Sequence, residues 1–310
     1  CSFPDGPASS TVSVQVKDSD NANSNTATQT VAIANVAPTV TLTGQATVNE
    51  GSSHIYSFTT SDPGADTFAL GVTDCGSGGS QVGADTFNPA TGAGSFECSF
   101  PDGPASPIVS VTVSDSDGAS DSDTLAVTVS NVKPSIVLTG DATADEGSTH
   151  TYSYTVTDPG QDSHTITTAC GANGAKVASS DSYNAGTGAG SFKCFFADGP
   201  ATTDVTATVT DSDGASDTDN QVVVVTVNNV APTVTLSAAN DLSVNEGTSH
   251  TYSFTTSDPG EDQFSLVSVD CGLNGSQVGT ASFNPSTGAG SFLCSFPDGP
   301  ASSTVSVQVK

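Results

Sequence analysis

Cys98-Ser-Phe-Pro-Asp-Gly-Pro104 decides the fold, because the chain carries this stretch again and again. It recurs unchanged at Cys1–Pro7 and Cys294–Pro300, and as Cys194-Phe-Phe-Ala-Asp-Gly-Pro200. The four cysteines stand 97, 96 and 100 residues apart, and about 100 residues is the length of one small β-sandwich. A second marker, Asn-Val-Ala/Lys-Pro, begins at Asn35, Asn131 and Asn229. Each copy lies between two valine-rich runs, and its proline stops strand pairing from passing through. These linkers cut the chain into a partial domain at 1–36, complete domains at 37–132 and 133–230, and a domain at 231–310 that lacks its last strand.

Residues 1–17 are identical to residues 294–310. The expectation is a slice of a longer chain that repeats a three-domain block of 293 residues. In a rival reading, the terminal strands of one molecule complete the broken domain of the next. It ranks second because both ends carry the same strand.

Within 37–132, turn residues separate seven strand candidates. These are A near Val40–Thr43, B near His54–Thr59, C near Thr67–Thr73, D near Thr86–Asn88, E near Gly94–Phe100, F near Ile108–Val113 and G near Asp123–Val129. Alternating Val, Ile, Tyr and Phe favour half-buried strands, while Gly, Pro, Asp and Ser punctuate them. Seven short strands of this kind predict an all-β fold of tandem Greek-key immunoglobulin-like sandwiches.

The chain has 33 Asp and Glu against 5 Lys and no Arg, a net charge of −28. That charge disfavours nucleic acid and anionic membranes as partners. Regular apolar alternation excludes an acidic disordered tail. No stretch approaches the roughly 18 consecutive apolar residues of a membrane-spanning helix. The expected partners are other copies of the same repeat array.

Position pairs the cysteines as Cys75–Cys98, Cys170–Cys194 and Cys271–Cys294, with the partner of Cys1 expected upstream. Cys75 would close strand C and Cys98 strand E at one end of the sandwich. No Cys-x-x-Cys occurs, which favours disulfides over a metal site. Each bridge should contribute about 3 kcal/mol in the chain-entropy view and implies an oxidising, extracellular compartment.

If the strands alternate in direction, the A–B and E–F loops share the C-terminal pole of a domain, and the B–C and F–G loops share the N-terminal pole. At the central linker this gathers Glu50, Asp102 and Asn131 with Asp158, Asp162, Asp211 and Asp213 of the next domain. The same placement brings Asn35 to Asp62, Asp66, Asp115 and Asp117, and Glu146, Asp198 and Asn229 to Asp258 and Asp262. Such crowded carboxylates repel unless neutralised. Ca²⁺, with six to eight oxygen ligands at about 2.3–2.6 Å in forgiving geometry, suits them. Asp-Gly and Asp-Pro-Gly are also good turn formers by themselves, yet turn chemistry does not require the recurrent Glu50, Glu146 and Glu246. A third arrangement would close a site within one F–G loop from Asp115, Asp117, Asp121 and Asp123.

No catalytic constellation is present. His54, His150 and His250 recur at the start of strand B and read as cross-strand partners of Ser and Thr, and only His164 falls elsewhere. Asn274-Gly-Ser276 fits the glycosylation pattern but is missing from the equivalent turns.

The runs Val111-Thr-Val-Ser-Asp-Ser-Asp-Gly-Ala-Ser120 and Val209-Thr-Asp-Ser-Asp-Gly-Ala-Ser216, each followed by a strand and Asn-Val-Ala/Lys-Pro, resemble the ends of PKD-like and cadherin-like repeats of bacterial surface proteins. The resemblance spans essentially the whole chain, although the Trp and Phe-Gly-Asp-Gly of many PKD domains do not occur. It implies calcium between domains, at the groups of Glu50, Asp102, Asn131, Asp158 and Asp211. The expected function is a structural, calcium-stiffened extracellular fibre, stalk or surface filament. The alternative is an adhesin or carbohydrate-associated spacer presenting a binding domain elsewhere, and long uniform filaments against headed rods in microscopy would separate the two.

Overall fold

The computed structural model describes residues 1–213 and 218–310, so residues 214–216 of the second acidic run lie outside it. Packing divides the chain into two compact units. One holds Cys1–Pro134 with Asp158–His164 and Thr210–Thr218, and the other holds Ser135–Thr157, Thr165–Val209 and Asp219–Lys310.

In the first unit, β1 (Ala8–Val14) and β2 (Ala27–Ile33) form an antiparallel ribbon. A full sandwich follows, built from β3 (Thr39–Thr43), β4 (Thr47–Asn49), β5 (Ser52–Ser61), β6 (Phe68–Asp74), β7 (Ser80–Asn88), β8 (Ala93–Phe100), β9 (Ile108–Asp115), β10 (Ser120–Ala126) and β11 (Thr128–Ser130). One sheet has the order β3-β5-β8-β7 and the other β10-β9-β6, which is the A-B-E-D and G-F-C arrangement of an immunoglobulin-type sandwich.

Alternation decides which face is buried. In β9, Val109, Val111 and Val113 are fully enclosed while the residues between them face outward. In β5, Tyr56 and Phe58 point inward and meet Phe96 and Phe100 of β8. Burying each such side chain stabilises by roughly 1.5–3 kcal/mol, which lets a core without Trp or Met close.

Two features depart from the seven-strand expectation. Strand G is split into β10 and β11, and the three-residue β4 pairs with β11 in parallel, Val48 opposite Val129. Strand D begins earlier, at Ser80, with a register shift between Val82 and Thr86.

The second unit contains β12 (Ser135–Thr139), β13 (Thr143–Asp145), β14 (Ser148–Thr157), β15 (Thr165–Ala169), β16 (Ala175–Lys176), β17 (Ser182–Asn184), β18 (Ala189–Phe196), β19 (Ala201–Thr210) and β20 (Thr218–Asn228). These repeat the same order, with β13 parallel to β20. A third sandwich has β21 (Thr233–Leu236), β22 (Thr248–Ser257), β23 (Leu266–Asp270), β24 (Ser276–Phe283), β25 (Gly290–Phe296) and β26 (Ser306–Val309). Its second sheet is β23-β26 alone.

The three cystines are Cys75–Cys98, Cys170–Cys194 and Cys271–Cys294, each enclosed in its own core, and Cys1 is free and exposed. In the first sandwich the cystine ties the end of β6 to β8, and so joins the two sheets.

Candidate metal centres

Among the described residues, three acidic sets form where the alternating strands bring loops together. In the first unit, Glu50 follows β4, Asp102 follows β8, Asp162 lies in the loop after β14, and Asp213 follows β19. One oxygen of each lies within 4.8 Å of one from every other member. Asp5, Asp66 and Asp117 form a second set in the same unit, and Glu146, Asp198 and Asp262 a third in the other. All three sets share an aspartate from an E–F loop and one from a B–C loop, while the A–B glutamate joins the first and third and the F–G aspartate the first and second.

Glu50 is 2% exposed. Its carboxylate accepts the Gly103 amide on Oε2 at 2.9 Å and the Val132 amide on Oε1 at 2.7 Å. Glu146 accepts from Gly199 at 2.9 Å and Val230 at 2.6 Å in the same way. Burial pushes the Glu50 carboxyl above its ordinary range, and the charges of Asp162 and Asp158 add to this against the two amides. Burial likewise raises Asp162, Asp117 and Asp262, each also facing neighbouring carboxylates. In each of the four, burial is the largest cause and the charge of neighbouring carboxylates adds to it.

Other members of the predicted groups serve as scaffold. Asp115 Oδ1 accepts the amides of Asp117 (3.0 Å) and Ala119 (2.8 Å), and its Oδ2 accepts the Asn35 side-chain amide at 2.8 Å. That amide, the largest influence, holds Asp115 below the usual aspartate range. Asn131 donates to Asp211 at 3.1 Å, and Asp211 accepts the Asp213 amide at 3.0 Å. Asp115 and Asp211 thus shape the turns that aim Asp117 and Asp213. Asp62, Asp158 and Asp258 accept the amides of Gly64, Gly160 and Gly260 within their own Asp-Pro-Gly turns. Asn229 lies next to Val230, the residue whose amide Glu146 accepts.

The single-loop arrangement does not form. Asp121 accepts the Val40 amide at 2.9 Å and Asp123 the Leu42 amide at 2.8 Å, so these β10 side chains cap the free edge of β3 instead.

Several contributors carry no signal in a motif search. Ser116 donates to Asp66 at 2.6 Å and Ser212 to Asp162 at 2.7 Å, orienting both. His164 meets Asp158 Oδ2 at 3.0 Å. The corresponding Oδ2 atoms of Asp62 and Asp258 are buried without any hydrogen-bond partner, as are Oδ2 of Asp66 and of Asp162. Burying a charged oxygen without a donor is costly. Glycine makes the close approach possible: a Cβ on Gly160 would stand 2.4 Å from Asp162 Oδ2 and 2.7 Å from the Glu50 carboxyl carbon.

The recurrent histidines do not bond across strands to Ser and Thr as the sequence predicts; each meets a hydroxyl two residues earlier on its own strand. His54, His150 and His250 meet Ser52, Ser148 and Thr248 at 2.9, 2.9 and 2.8 Å. His150 and His250 also meet Asp141 and Asp241, each at 2.7 Å.

No family model and no curated protein matches the chain. Among solved structures, it is similar to an I-band fragment of titin, with 10% identity over 86% of this chain and 90% of that one and a TM-score of 0.34. A second three-domain titin fragment gives 12% identity, 88% and 91% coverage and a TM-score of 0.36. The protocadherin GammaB4 extracellular domain gives 14% identity, 93% and 54% coverage and a TM-score of 0.29. Likeness at this level carries no argument about function. The strand order and the sheet-joining cystines themselves make this chain a tandem array of immunoglobulin-like β-sandwiches, each complete cystine within its own core.

Proposed function

We propose that the chain is a structural extracellular repeat protein whose acidic sets bind Ca²⁺ and thereby stiffen a fibre, stalk or surface filament. The observation that carries this is the set of buried carboxylate oxygens without a donor, Asp66 and Asp162 Oδ2 among them, inside clusters of like charge. A hard divalent cation supplies the missing partner. Glu50, Asp102, Asp162 and Asp213 would hold it, with water completing the shell. Mg²⁺ fits less well, since it keeps most of its water and demands stricter geometry. The cystines support an oxidising compartment.

Calorimetric titration of the chelated chain with CaCl₂, joined to small-angle scattering, tests the reading. Binding with a dissociation constant of roughly 10⁻⁴–10⁻³ M is expected, as for extracellular modules. The melting temperature should rise and the maximum dimension become longer and better defined. Unchanged melting and scattering on adding EDTA to calcium-loaded protein would sink it.

A further inference from the structure

The three B–C loops share the pattern Asp-Pro-Gly-x-Asp-x-aromatic, from Asp62 to Phe68, Asp158 to His164 and Asp258 to Phe264. His164 stands where the sister loops carry phenylalanine. Both phenylalanines turn toward their own sandwich. A Cβ on Gly92 would stand 3.0 Å from Phe68 Cδ2, and one on Gly288 3.0 Å from Phe264 Cδ2, so each ring closes over the turn glycine ahead of β8 or β25. His164 instead meets Asp158 Oδ2 at 3.0 Å, with the two side chains only 11% and 3% exposed. An ionised carboxylate only accepts, so His164 Nε2 is the donor.

The first oxygen of each loop aspartate is used alike. Oδ1 of Asp62, Asp158 and Asp258 accepts the amide of Gly64, Gly160 and Gly260 at 2.6, 3.0 and 2.8 Å. The loops part at Oδ2. In Asp62 and Asp258 that atom is buried without a hydrogen-bond partner, whereas in Asp158 it has the imidazole. A charged oxygen left bare in a buried place is costly, so the first and third loops carry a cost that the second does not. Each aspartate also stands beside an acidic set. Behind burial, the charge of Asp158 adds to the rise of Glu50, that of Asp62 to the rise of Asp117, and that of Asp258 to the rise of Asp262.

We propose that His164 determines how the central acidic set holds its cation: by occupying Asp158 Oδ2 it withholds that oxygen, and Glu50, Asp102, Asp162 and Asp213 bind Ca²⁺ without Asp158. Asp62 and Asp258 have no such partner, and each gives Oδ2 to the ion of its own set. For Asp62 that set contains Asp66 and Asp117, and for Asp258 it contains Glu146, Asp198 and Asp262. The proposal rests on the calcium reading and adds a difference in affinity among the sets. Ca²⁺ affinity follows the number and charge of its oxygen ligands, and a group hydrogen-bonded to a ligand shifts it by roughly tenfold or more. Without calcium the order reverses. The Asp158 loop is then complete by itself, while the Asp62 and Asp258 loops wait for a cation to satisfy the buried oxygen.

Titration of the full chain with CaCl₂, followed by the amide resonances of Gly64, Gly160 and Gly260, reads the three loops separately. His164→Phe installs the residue of the sister loops and should release Asp158 Oδ2. The midpoint at Gly160 should then fall roughly tenfold, with those at Gly64 and Gly260 unmoved. Phe264→His should raise the midpoint at Gly260 by a similar factor. Asp158→Asn completes a double-mutant cycle: it should change the Gly160 midpoint little in the wild-type chain and raise it roughly tenfold or more in the His164→Phe chain. An unchanged midpoint in His164→Phe, or equal effects of Asp158→Asn in the two backgrounds, overturns the role of His164 while calcium still moves the glycine resonances. A tenfold loss from Asp158→Asn alone overturns it as well, and that arm is readable even if His164→Phe does not fold. Absence of a calcium shift at all three glycines overturns the calcium reading itself.

Discussion

The amide of Val132 donates to Glu50 Oε1 at 2.7 Å, across 82 residues of sequence. One carboxylate thereby fastens the linker to the loop before β5, while its other oxygen fastens Gly103. Glu50 is at once a structural anchor and a member of the acidic set, and substitutions separate the two roles. Glu50→Ala leaves two amides without their acceptor and should destabilise the first sandwich by about 2–4 kcal/mol with or without calcium. Glu50→Gln keeps the shape and removes the charge, so it should cost less in EDTA yet abolish the calcium-induced rise at this set. Urea denaturation of each variant under both conditions checks this.

The raised carboxyls of Glu50, Asp162, Asp117 and Asp262 fix the sign of a pH effect. Each binds its proton more tightly folded than unfolded. Between the ordinary carboxylate range and the raised values the folded chain therefore holds more protons, and stability falls as pH rises through that window. With saturating calcium the ligands must be ionised and protons compete with the ion, so stability should rise with pH over the same window. Asp115 acts oppositely to the raised group: its contribution is present at neutral pH and lost only as pH falls below the usual aspartate range. Melting curves from neutral to mildly acid pH should thus slope in opposite directions in EDTA and in calcium. Parallel slopes would count against cation binding.

A side chain at Gly160 would force the Asp162 and Glu50 carboxylates to shift. An alanine methyl at this position would meet Asp162 and Glu50, and the same holds for Gly260, where a Cβ would stand 2.6 Å from the Glu146 carboxyl carbon. Gly160→Ala should therefore weaken calcium binding at the central set by roughly tenfold or more, equivalent to about 1.4 kcal/mol. Gly186→Ala, whose new Cβ meets only Asn184 Oδ1 at 3.4 Å, is the control that should change nothing. Calcium titration of both variants, followed by calorimetry, distinguishes them.

Much of this was legible because repetition supplies its own alignment. The four Cys-to-Pro copies located the cystines, and period-two alternation located β3, β5, β6, β8 and β9 within a few residues. Pole assignment also placed Glu50 and Asp102 with Asp162 and Asp213. Three residues such as Thr47–Asn49 carry no periodicity, however, and the parallel pairing of β4 with β11 depends on a segment some 80 residues away. The division of labour between Asp115 and Asp117 was equally invisible, since both are aspartates in one Asp-Ser-Asp turn. The amides of Asn35, Asp117 and Ala119, all donated to Asp115, tell scaffold from candidate ligand.

Asp121 and Asp123 supply the final discrimination between fold and site. They accept the amides of Val40 and Leu42, which point away from β5 and would otherwise lie unpaired along the edge of β3. An amide deprived of its acceptor in a partly buried position costs about 1–3 kcal/mol. Asp121→Ala and Asp123→Ala should each destabilise the first sandwich by that amount, equally in calcium and in EDTA, because neither carboxylate belongs to an acidic set. Hydrogen exchange should show lost protection at Val40 and Leu42 while the amide of Val132 stays protected. A calcium-dependent penalty in either variant would instead return these residues to the metal site and revive the single-loop arrangement.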